Sequence, residues 1–199
     1  MDESIQDVNN IGVGKGRPGG YALVAPAGTD LTAVEDMTKT LGEIAKGATG
    51  FMSLGYISED GVTFSTDTDS DEKADWGGNV IDASLSKYAE SAAVKFLESR
   101  DSVLKTVYGD ANVSTSGATT TVRHNANFTA PHVYVFDAVV SQTKVVRTII
   151  PLGRIFERDD MERNNSDLAG YSPTIKCMPY EGYEGDAYRE LYYDTTKVV

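Results

Sequence analysis

The stretch that decides the fold lies in the last third of the chain and reads His132-Val-Tyr-Val-Phe136, Lys144-Val-Val-Arg-Thr-Ile-Ile150 and Gly153-Arg-Ile-Phe-Glu157. Short apolar runs rich in β-branched and aromatic residues are typical of strands, and their close spacing favours antiparallel pairing. We expect Pro151 to separate two strands, and Pro173 predicts an edge position for the next strand, over 171–177. The chain is therefore predicted to be mainly β.

Strand signals also precede this region. Strands are predicted over 21–25 and 51–57, and the acidic turn Glu59-Asp-Gly61 predicts a hairpin that returns over 62–66. Residues 82–98 fit helical and strand spacing equally well, so periodicity leaves both structures open there.

Two short helices are predicted beside the strands. Apolar residues at helical spacing predict a helix over 34–46, with Thr32 as its N-cap and Glu35 completing a capping box. Ser99 or Asp101 caps the second helix, which ends at Gly109.

Composition divides the chain into three parts. Residues 1–20 are polar and glycine-rich and are predicted to be a flexible arm. Residues 21–180 form the β domain, in which 67–75 is an acidic, solvated loop and 112–127 is an exposed hairpin. Residues 181–199 are a C-terminal tail rich in Tyr and Glu.

The charge and cysteine content exclude several classes of protein. The chain carries 30 Asp and Glu against 18 Lys and Arg, a net charge of −12 that repels nucleic acid backbones. The single cysteine, Cys177, cannot close an intrachain disulfide, and no long apolar run predicts a membrane span. We expect a protein that is made in a reducing cytoplasm and has no membrane partner.

Motifs that carry chemistry are incomplete. Asp67-Thr-Asp-Ser-Asp71 matches the first ligands of a calcium loop, but the Gly and Glu that such a loop requires later are missing. A weak surface site for Ca²⁺ or Mg²⁺ stays open as an alternative. The only histidines, His124 and His132, with Cys177 cannot build a zinc site of the usual composition. We therefore expect no catalytic residues, no metal, no cofactor and no enzymatic activity.

Six segments, in this order, carry a resemblance to a known family: Gly20-Tyr-Ala-Leu-Val-Ala-Pro-Ala-Gly-Thr29, Leu54-Gly-Tyr-Ile-Ser-Glu-Asp-Gly-Val-Thr63, Trp76-Gly-Gly78, Val107-Tyr-Gly109, Ile149-Ile-Pro151 and Gly170-Tyr171 leading into Thr174. Over about residues 20–180 the chain resembles the major tail proteins, or tail tube subunits, of long-tailed, non-contractile bacteriophages. The predicted helix over 34–46 and the tail after 180 depart from that family.

The resemblance implies a β-sandwich or small β-barrel with one or two short flanking helices and extended arms. It implies that 80–98 is a strand followed by a short helix. It further implies that six copies form a ring, that the inner sheets join into one tube, and that stacked rings build a tail through which DNA passes during ejection.

The same resemblance implies partners and a location. The partners are further copies of the chain, the tape-measure protein and the tail terminator and initiator proteins, with only transient passage of DNA. The location is the virion tail, assembled in the host bacterial cytoplasm. From the net charge of −12 we also expect part of the acid excess to face the lumen, where like charge keeps DNA mobile.

Contacts between subunits or rings are predicted where charges of opposite sign cluster. The acidic loop is expected to meet cations of the N-terminal arm on a neighbouring copy. The candidate residues are Lys15, Arg17, Asp67, Asp69, Asp71, Glu72 and Asp75.

A monomeric β-sandwich that binds carbohydrate or a cell-surface ligand is the alternative function. Trp76 and exposed tyrosines would form its stacking platform. A hydrolytic enzyme on the same sandwich is a third possibility that lacks a recognisable set of catalytic residues.

Overall fold

A computed structural model describes residues 12–126, 130–161 and 163–197. The predicted arm over 1–20 thus lies partly outside the described residues. Within the described ranges the chain forms three α-helices and eleven strands, with these bounds: β1 Lys15–Gly16, β2 Ala22–Pro26, α1 Thr32–Glu35, α2 Leu41–Lys46, β3 Met52–Ser53, β4 Ile57–Ala74, β5 Val80–Phe96, α3 Asp101–Tyr108, β6 Val113–Ser116, β7 Thr119–Val122, β8 His132–Val139, β9 Lys144–Arg158, β10 Pro173–Cys177 and β11 Arg189–Asp194.

Nine of these strands form one antiparallel sheet in the order β3-β2-β8-β9-β10-β5-β4. Strand β1 also pairs with β8, and β11 pairs with the first half of β9. The edge strands β3 and β4 are joined by only three residues, a link of at most about 14 Å. Because this link brings the two edges together, the sheet curls into a small barrel. The expectation of a mainly β fold is confirmed.

The barrel has a core on each face of the sheet. Helix α3 fills the interior, where Val103 and Val107 belong to the same buried cluster as Phe96, Tyr134 and Ile175. Helices α1 and α2 cover the outside of β2 and β8, where the buried residues include Leu23, Val34, Leu41, Val133 and Val135. Strand β8 therefore has apolar residues at successive positions because both of its faces are buried.

The two strands predicted on either side of Pro151 are one strand, β9. Pro151 falls between Ile149, where β11 stops pairing, and Gly153, where β10 begins. The ladder between β9 and β8 is also irregular at this point, so the missing N–H of the proline interrupts no regular pair. The edge position predicted from Pro173 was wrong as well, since β10 lies between β9 and β5 and the proline is its first residue.

The helix predicted over 34–46 is two short helices, and the predicted cap was wrong. The Thr32 side chain does not cap α1, whereas Thr40 and Glu43 form the capping box of α2. The Arg147 guanidinium explains the break, because it binds the carbonyl oxygens of Val34, Asp36 and Lys39 between the helices.

The predicted turn at 59–61 and all but the last residue of the acidic loop predicted over 67–75 belong to β4, which ends at Ala74. Gly61 has a φ of 71° within an irregular part of the ladder, so this glycine marks a bulge instead of a hairpin turn. The real turn of the hairpin lies over 75–79. Residues 80–96 are strand, as the resemblance implied, and α3 and the β6–β7 hairpin lie where they were predicted. The predicted cap of α3 by Ser99 or Asp101 was wrong, because its N-cap is Arg100 and no side chain caps the helix.

Candidate assembly surface

The hairpin of β4 and β5 continues far beyond the barrel. Strand β10 pairs with β5 only as far as Glu90, and every residue from 65 to 89 is exposed. We call residues 67–88 the ribbon. From Glu90 to the turn it is about 30 Å long. An isolated two-stranded hairpin is marginally stable in water, so a ribbon of this length indicates a surface that gains a partner.

One face of the ribbon continues the interior face of the barrel. Phe64 of β4 and its partner Ala92 belong to the barrel core, and alternate residues beyond them keep the same side. The exposed apolar residues of this face and the turn are Trp76 at 105%, Ile81 at 70%, Leu85 at 63%, Tyr88 at 60% and Val80 at 57%. The ribbon thus presents exposed apolar side chains, mainly from β5 and the turn, on a face where β4 contributes Thr68, Ser70 and Glu72.

The opposite face of the ribbon is acidic. Asp67, Asp69, Asp71 and Lys73 alternate along β4, and Lys87 and Asp82 face them from β5. Lys87 donates to Asp67 at 2.5 Å, which raises the pKa of the lysine, and Lys73 lies 3.7 Å from Asp82. Within the described part of the chain Asp69 and Asp71 form no ion pair. Lys87 lies opposite Asp69 in the ladder and compensates part of its charge, and the four acids of this face still outnumber its two lysines.

The root of the ribbon is held by polar contacts. The Glu90 carboxylate is buried and accepts hydrogen bonds from Tyr88 and from Thr66 across the ladder. The bond to Glu90 and burial raise the pKa of Tyr88. Tyr188 and neighbouring residues of the C-terminal segment line a small cavity beside Tyr88 and Glu90. The ribbon is thus anchored at one end only.

The structure places the sequence-predicted contact residues in three settings. Asp67, Asp69 and Asp71 lie on the acidic face, whereas Glu72 lies by register on the opposite face. Asp75 closes the turn by accepting hydrogen bonds from the Asn79 backbone and side chain, which lower the pKa of Asp75.

The two predicted cations lie on the barrel, away from these acids. Lys15 is exposed on β1 and lines a cavity of about 420 Å³ together with Glu59, Asp60 and Glu190. Arg17 is engaged inside its own chain, where its guanidinium lies 3.2 Å from the Asp137 carboxylate. The structure does not bring the cations and the ribbon acids together within one copy.

The sequence analysis did not predict a buried ionic network that joins β8 and β9 to the segment of α1 and α2. Arg147 is fully buried, and its Nε and Nη2 donate to the Asp137 carboxylate at 2.6 and 2.8 Å. With its three carbonyl contacts, all five N–H donors of the guanidinium are used. An arginine within an apolar strand was the available signal, since such a residue requires a buried partner.

A second feature missed from the sequence is a basic and aromatic patch on the outside of the barrel. The Arg154 guanidinium lies 5.2 Å and the Lys176 ammonium 5.9 Å from the centre of the Phe156 ring. Phe156 is 40% exposed. We call Arg154, Phe156 and Lys176 the barrel patch.

Other kinds of site find no support among the described residues. No three metal-ligating side chains cluster in those ranges. In the same ranges no helix has the length and apolar character needed to cross a membrane. Cys177 is buried, and burial raises the pKa of its thiol to about 12. Trp76 is fully exposed at the turn of the ribbon and makes no ring contact among the described aromatic residues.

A comparison with protein families identifies a family for the chain. The family model described as phage tail tube protein matches residues 18–190. No match was found among curated proteins. The matched range includes the whole ribbon and the barrel apart from β1 and most of β11.

Proposed function

The chain belongs to the phage tail tube protein family and is thus a structural, non-enzymatic protein of the virion tail that assembles with copies of itself; from this premise we propose the details of the assembly. Six copies form a ring, and stacked rings build the tube of a non-contractile, siphovirus-type tail. DNA passes through this tube during ejection. Assembly takes place in the host cytoplasm with the tape-measure, terminator and initiator proteins.

The observation that carries the proposal is the amphipathic ribbon. Its apolar residues, among them Leu85 and Tyr88, extend the core-facing side of the sheet into solvent. Large exposed apolar patches on soluble chains mark interaction surfaces. The ribbon packs this face against a neighbouring copy and gains there the burial that it lacks in the free chain.

The length of the ribbon supports a neighbouring copy as the partner. A compact chain of 199 residues has a radius of gyration of about 16 Å. A ribbon of about 30 Å therefore reaches well onto the barrel of an adjacent subunit. The ribbon acids and the exposed Lys15 remain our proposed contacts between copies, whereas the bond from Arg17 to Asp137 makes Arg17 the weakest of the predicted candidates.

Electrostatics supports the proposed passage of DNA. The chain carries a net charge of −12, so a lumen lined by part of this acid excess repels phosphates. A basic wall would instead hold DNA with a salt-dependent affinity.

Electron microscopy with a matched pair of variants tests this function. Negative-stain images of the wild-type protein over a concentration series are expected to show rings or tubes. Leu85→Asp places a charge on the apolar face of the ribbon and is expected to leave the protein monomeric. Leu168→Asp alters another exposed leucine, outside the ribbon, and should assemble like the wild type. A wild-type protein that stays monomeric even with an initiator complex would contradict the proposal.

A further inference from the structure

We propose that the turn of the ribbon of one copy inserts the Trp76 side chain into the cavity beside Lys15 on the next copy. This inference rests on the proposed function and names the surface that receives the ribbon. The occupant is a second copy of this chain. The argument for it is the match between an exposed aromatic ring at one end of the ribbon and an open, apolar cavity at the other.

The cavity beside Lys15 is an unfilled end of the barrel interior, and we call it the mouth. Its floor includes Phe136, which belongs to the buried cluster around α3, and Val62 and Phe64, which pack against that cluster. None of the residues that line the mouth belongs to α3. Its volume of about 420 Å³ lies within the range of about 300–1,000 Å³ that is typical of cavities for small ligands. The mouth therefore has the size and the apolar floor to take an indole ring.

The mouth is open to solvent at its rim. A Cβ atom added at Gly14 on β1's side, or at Gly61 on the side of β4, would meet no other atom of the described chain within 4 Å. The charged residues of the rim are all exposed: Lys15, Glu59, Asp60 and Glu190. A side chain of another copy can thus enter without displacement of the subunit's own described residues.

The turn of the ribbon presents Trp76 to a partner. Trp76 is 105% exposed, the highest value among the exposed large apolar residues of the described chain. The turn is already ordered, because the Asp75 N–H donates to the Asn79 carbonyl at 2.9 Å and the Asn79 N–H donates to the Asp75 carboxylate at 2.8 Å. An ordered turn lowers the entropy cost of docking. Tryptophan in a pocket is among the commonest anchors of protein interfaces, since its ring buries about 150–250 Å².

The position of the mouth requires the partner to be another copy. Val62 and Phe64 lie in β4 just before the ribbon begins, so the mouth is at the root of the ribbon and Trp76 is at its far end. These two places are about 30 Å apart along a paired hairpin, and the turn cannot reach its own mouth. Each copy therefore offers one turn and one mouth, a head-to-tail contact that repeats from copy to copy. It continues the ribbon contact that the proposed function already assigns to a neighbouring copy.

The charges beside the turn and on the rim can pair across this contact. Lys73 lies 3.7 Å from Asp82 in a loose and exposed ion pair, so it can exchange that partner for Glu59 or Asp60 of the rim. Lys15 has no carboxylate within ion-pair distance among the described residues and can then receive Asp82. Both surfaces remain acidic overall, so burial of the indole drives the docking and the ion pairs set its register.

The fluorescence of Trp76 tests the inference, because Trp76 is the only tryptophan of the chain. Below the concentration of assembly, the neutral quencher acrylamide should quench the emission as it does for an indole in water. In wild-type tubes the emission should shift to shorter wavelength and the quenching constant should fall severalfold.

Two substitutions of one residue test the mouth. Val146 lines the mouth and is partly exposed, so Val146→Phe fills the cavity from inside. Val146→Phe, like Trp76→Ala, should raise the protein concentration needed for tubes at least about tenfold. Val146→Ala leaves the mouth open and is the matched control, which should assemble within about threefold of the wild type. Far-UV circular dichroism establishes that the variants are folded, and the wild-type fluorescence decides the question even if Val146→Phe misfolds.

The results separate the inference from the proposed function. Wild-type tubes in which Trp76 is quenched as in the free subunit would overturn the inference and leave the function standing. A folded Val146→Phe chain that forms tubes at the wild-type concentration would do the same, because the ring would then dock elsewhere. A wild-type chain that forms no tubes overturns both.

Discussion

Replacement of Arg147 by methionine tests the buried ionic network most directly. Methionine keeps an unbranched apolar stem but removes the charge and all five hydrogen bonds of the guanidinium. The Asp137 side chain then stays fully buried, and among the described residues Arg17 is the cation that still contacts it, at 3.2 Å. The carbonyl oxygens of Val34, Asp36 and Lys39 also lose the guanidinium as a donor, although that of Lys39 still accepts from Arg17.

The size of the effect follows from the loss of charge compensation. Breaking a buried ion pair by removal of one partner costs about 3–5 kcal/mol. For a chain of this length each kcal/mol lowers the melting temperature by about 2–4 °C, so we expect a fall of about 6–20 °C. The free energy of unfolding of a typical domain is about 5–15 kcal/mol, so the variant loses a large fraction of it.

The assay is urea unfolding followed by far-UV circular dichroism, at a concentration below that of assembly. Trp76 is fully exposed at the turn of the ribbon, so its fluorescence is a poor reporter of the barrel. The matched control is Arg17→Met, which leaves the Arg147–Asp137 pair intact and should cost about 1 kcal/mol. Adding Asp137→Asn to Arg147→Met should recover part of the loss, because the fully buried carboxylate charge is then removed, although the largely buried Arg17 loses its ion pair.

A loss below about 1.5 kcal/mol for Arg147→Met would refute this reasoning, because that value lies well under the cost of an uncompensated buried charge. An equal loss for Arg17→Met would refute it as well, since the two arginines differ chiefly in burial and in the number of bonds that they form.

Three further predictions concern local contacts. Thr40→Ala should cost about 1 kcal/mol in urea unfolding because it removes the capping box of α2, whereas Thr32→Ala should cost less than about half of that. Cys177 should react with a thiol reagent at pH 8 only as fast as the chain unfolds, because burial raises the pKa of its thiol to about 12. Hydrogen bonds from Thr38 and Lys39 lower the pKa of Asp36 to about 2. The NMR signal of its side-chain carboxyl carbon should therefore titrate below pH 3, and Thr38→Ala should raise the midpoint of that titration.

Each of these has a clear contrary result. Equal losses for the two threonine variants would mean that the capping box of α2 does not form. Rapid labelling of Cys177 in the folded protein would show that β10 opens locally. An Asp36 midpoint near the ordinary value of about 4 would mean that its hydrogen bonds are absent in solution.

Much of the barrel could be predicted from the sequence because its strands have apolar residues that must be buried. The run from His132 to Phe136 and the strand at Ala22–Pro26 are examples, since both faces of each strand contact a core. Errors arose where a distant residue decides the local structure. The break between α1 and α2 depends on Arg147, which lies more than a hundred residues away in sequence. No pattern within residues 32–46 predicts this break.

The candidate site was harder to predict for a different reason. Over 67–73 the chain alternates acids with Thr and Ser, and neither face is buried within the subunit. A stretch without periodic apolar residues is predicted as a loop. Its exposure was therefore predicted correctly, but its strand structure was not. The barrel patch was missed because Arg154 and Lys176 lie 22 positions apart and meet only through the pairing of β9 with β10.

The outer edge of β4 has no partner strand among the described residues, and this affects the subunit before it assembles. A strand of 18 residues with one unpaired edge is a template for disordered aggregation between identical chains. Residues 67–88 carry six acids and two lysines, so two such edges that met directly would bring like charges together. We therefore expect the acidic residues to oppose aggregation of unassembled subunits through this edge. Salt screens this repulsion, so precipitation of the free subunit should compete more strongly with ordered growth as ionic strength rises.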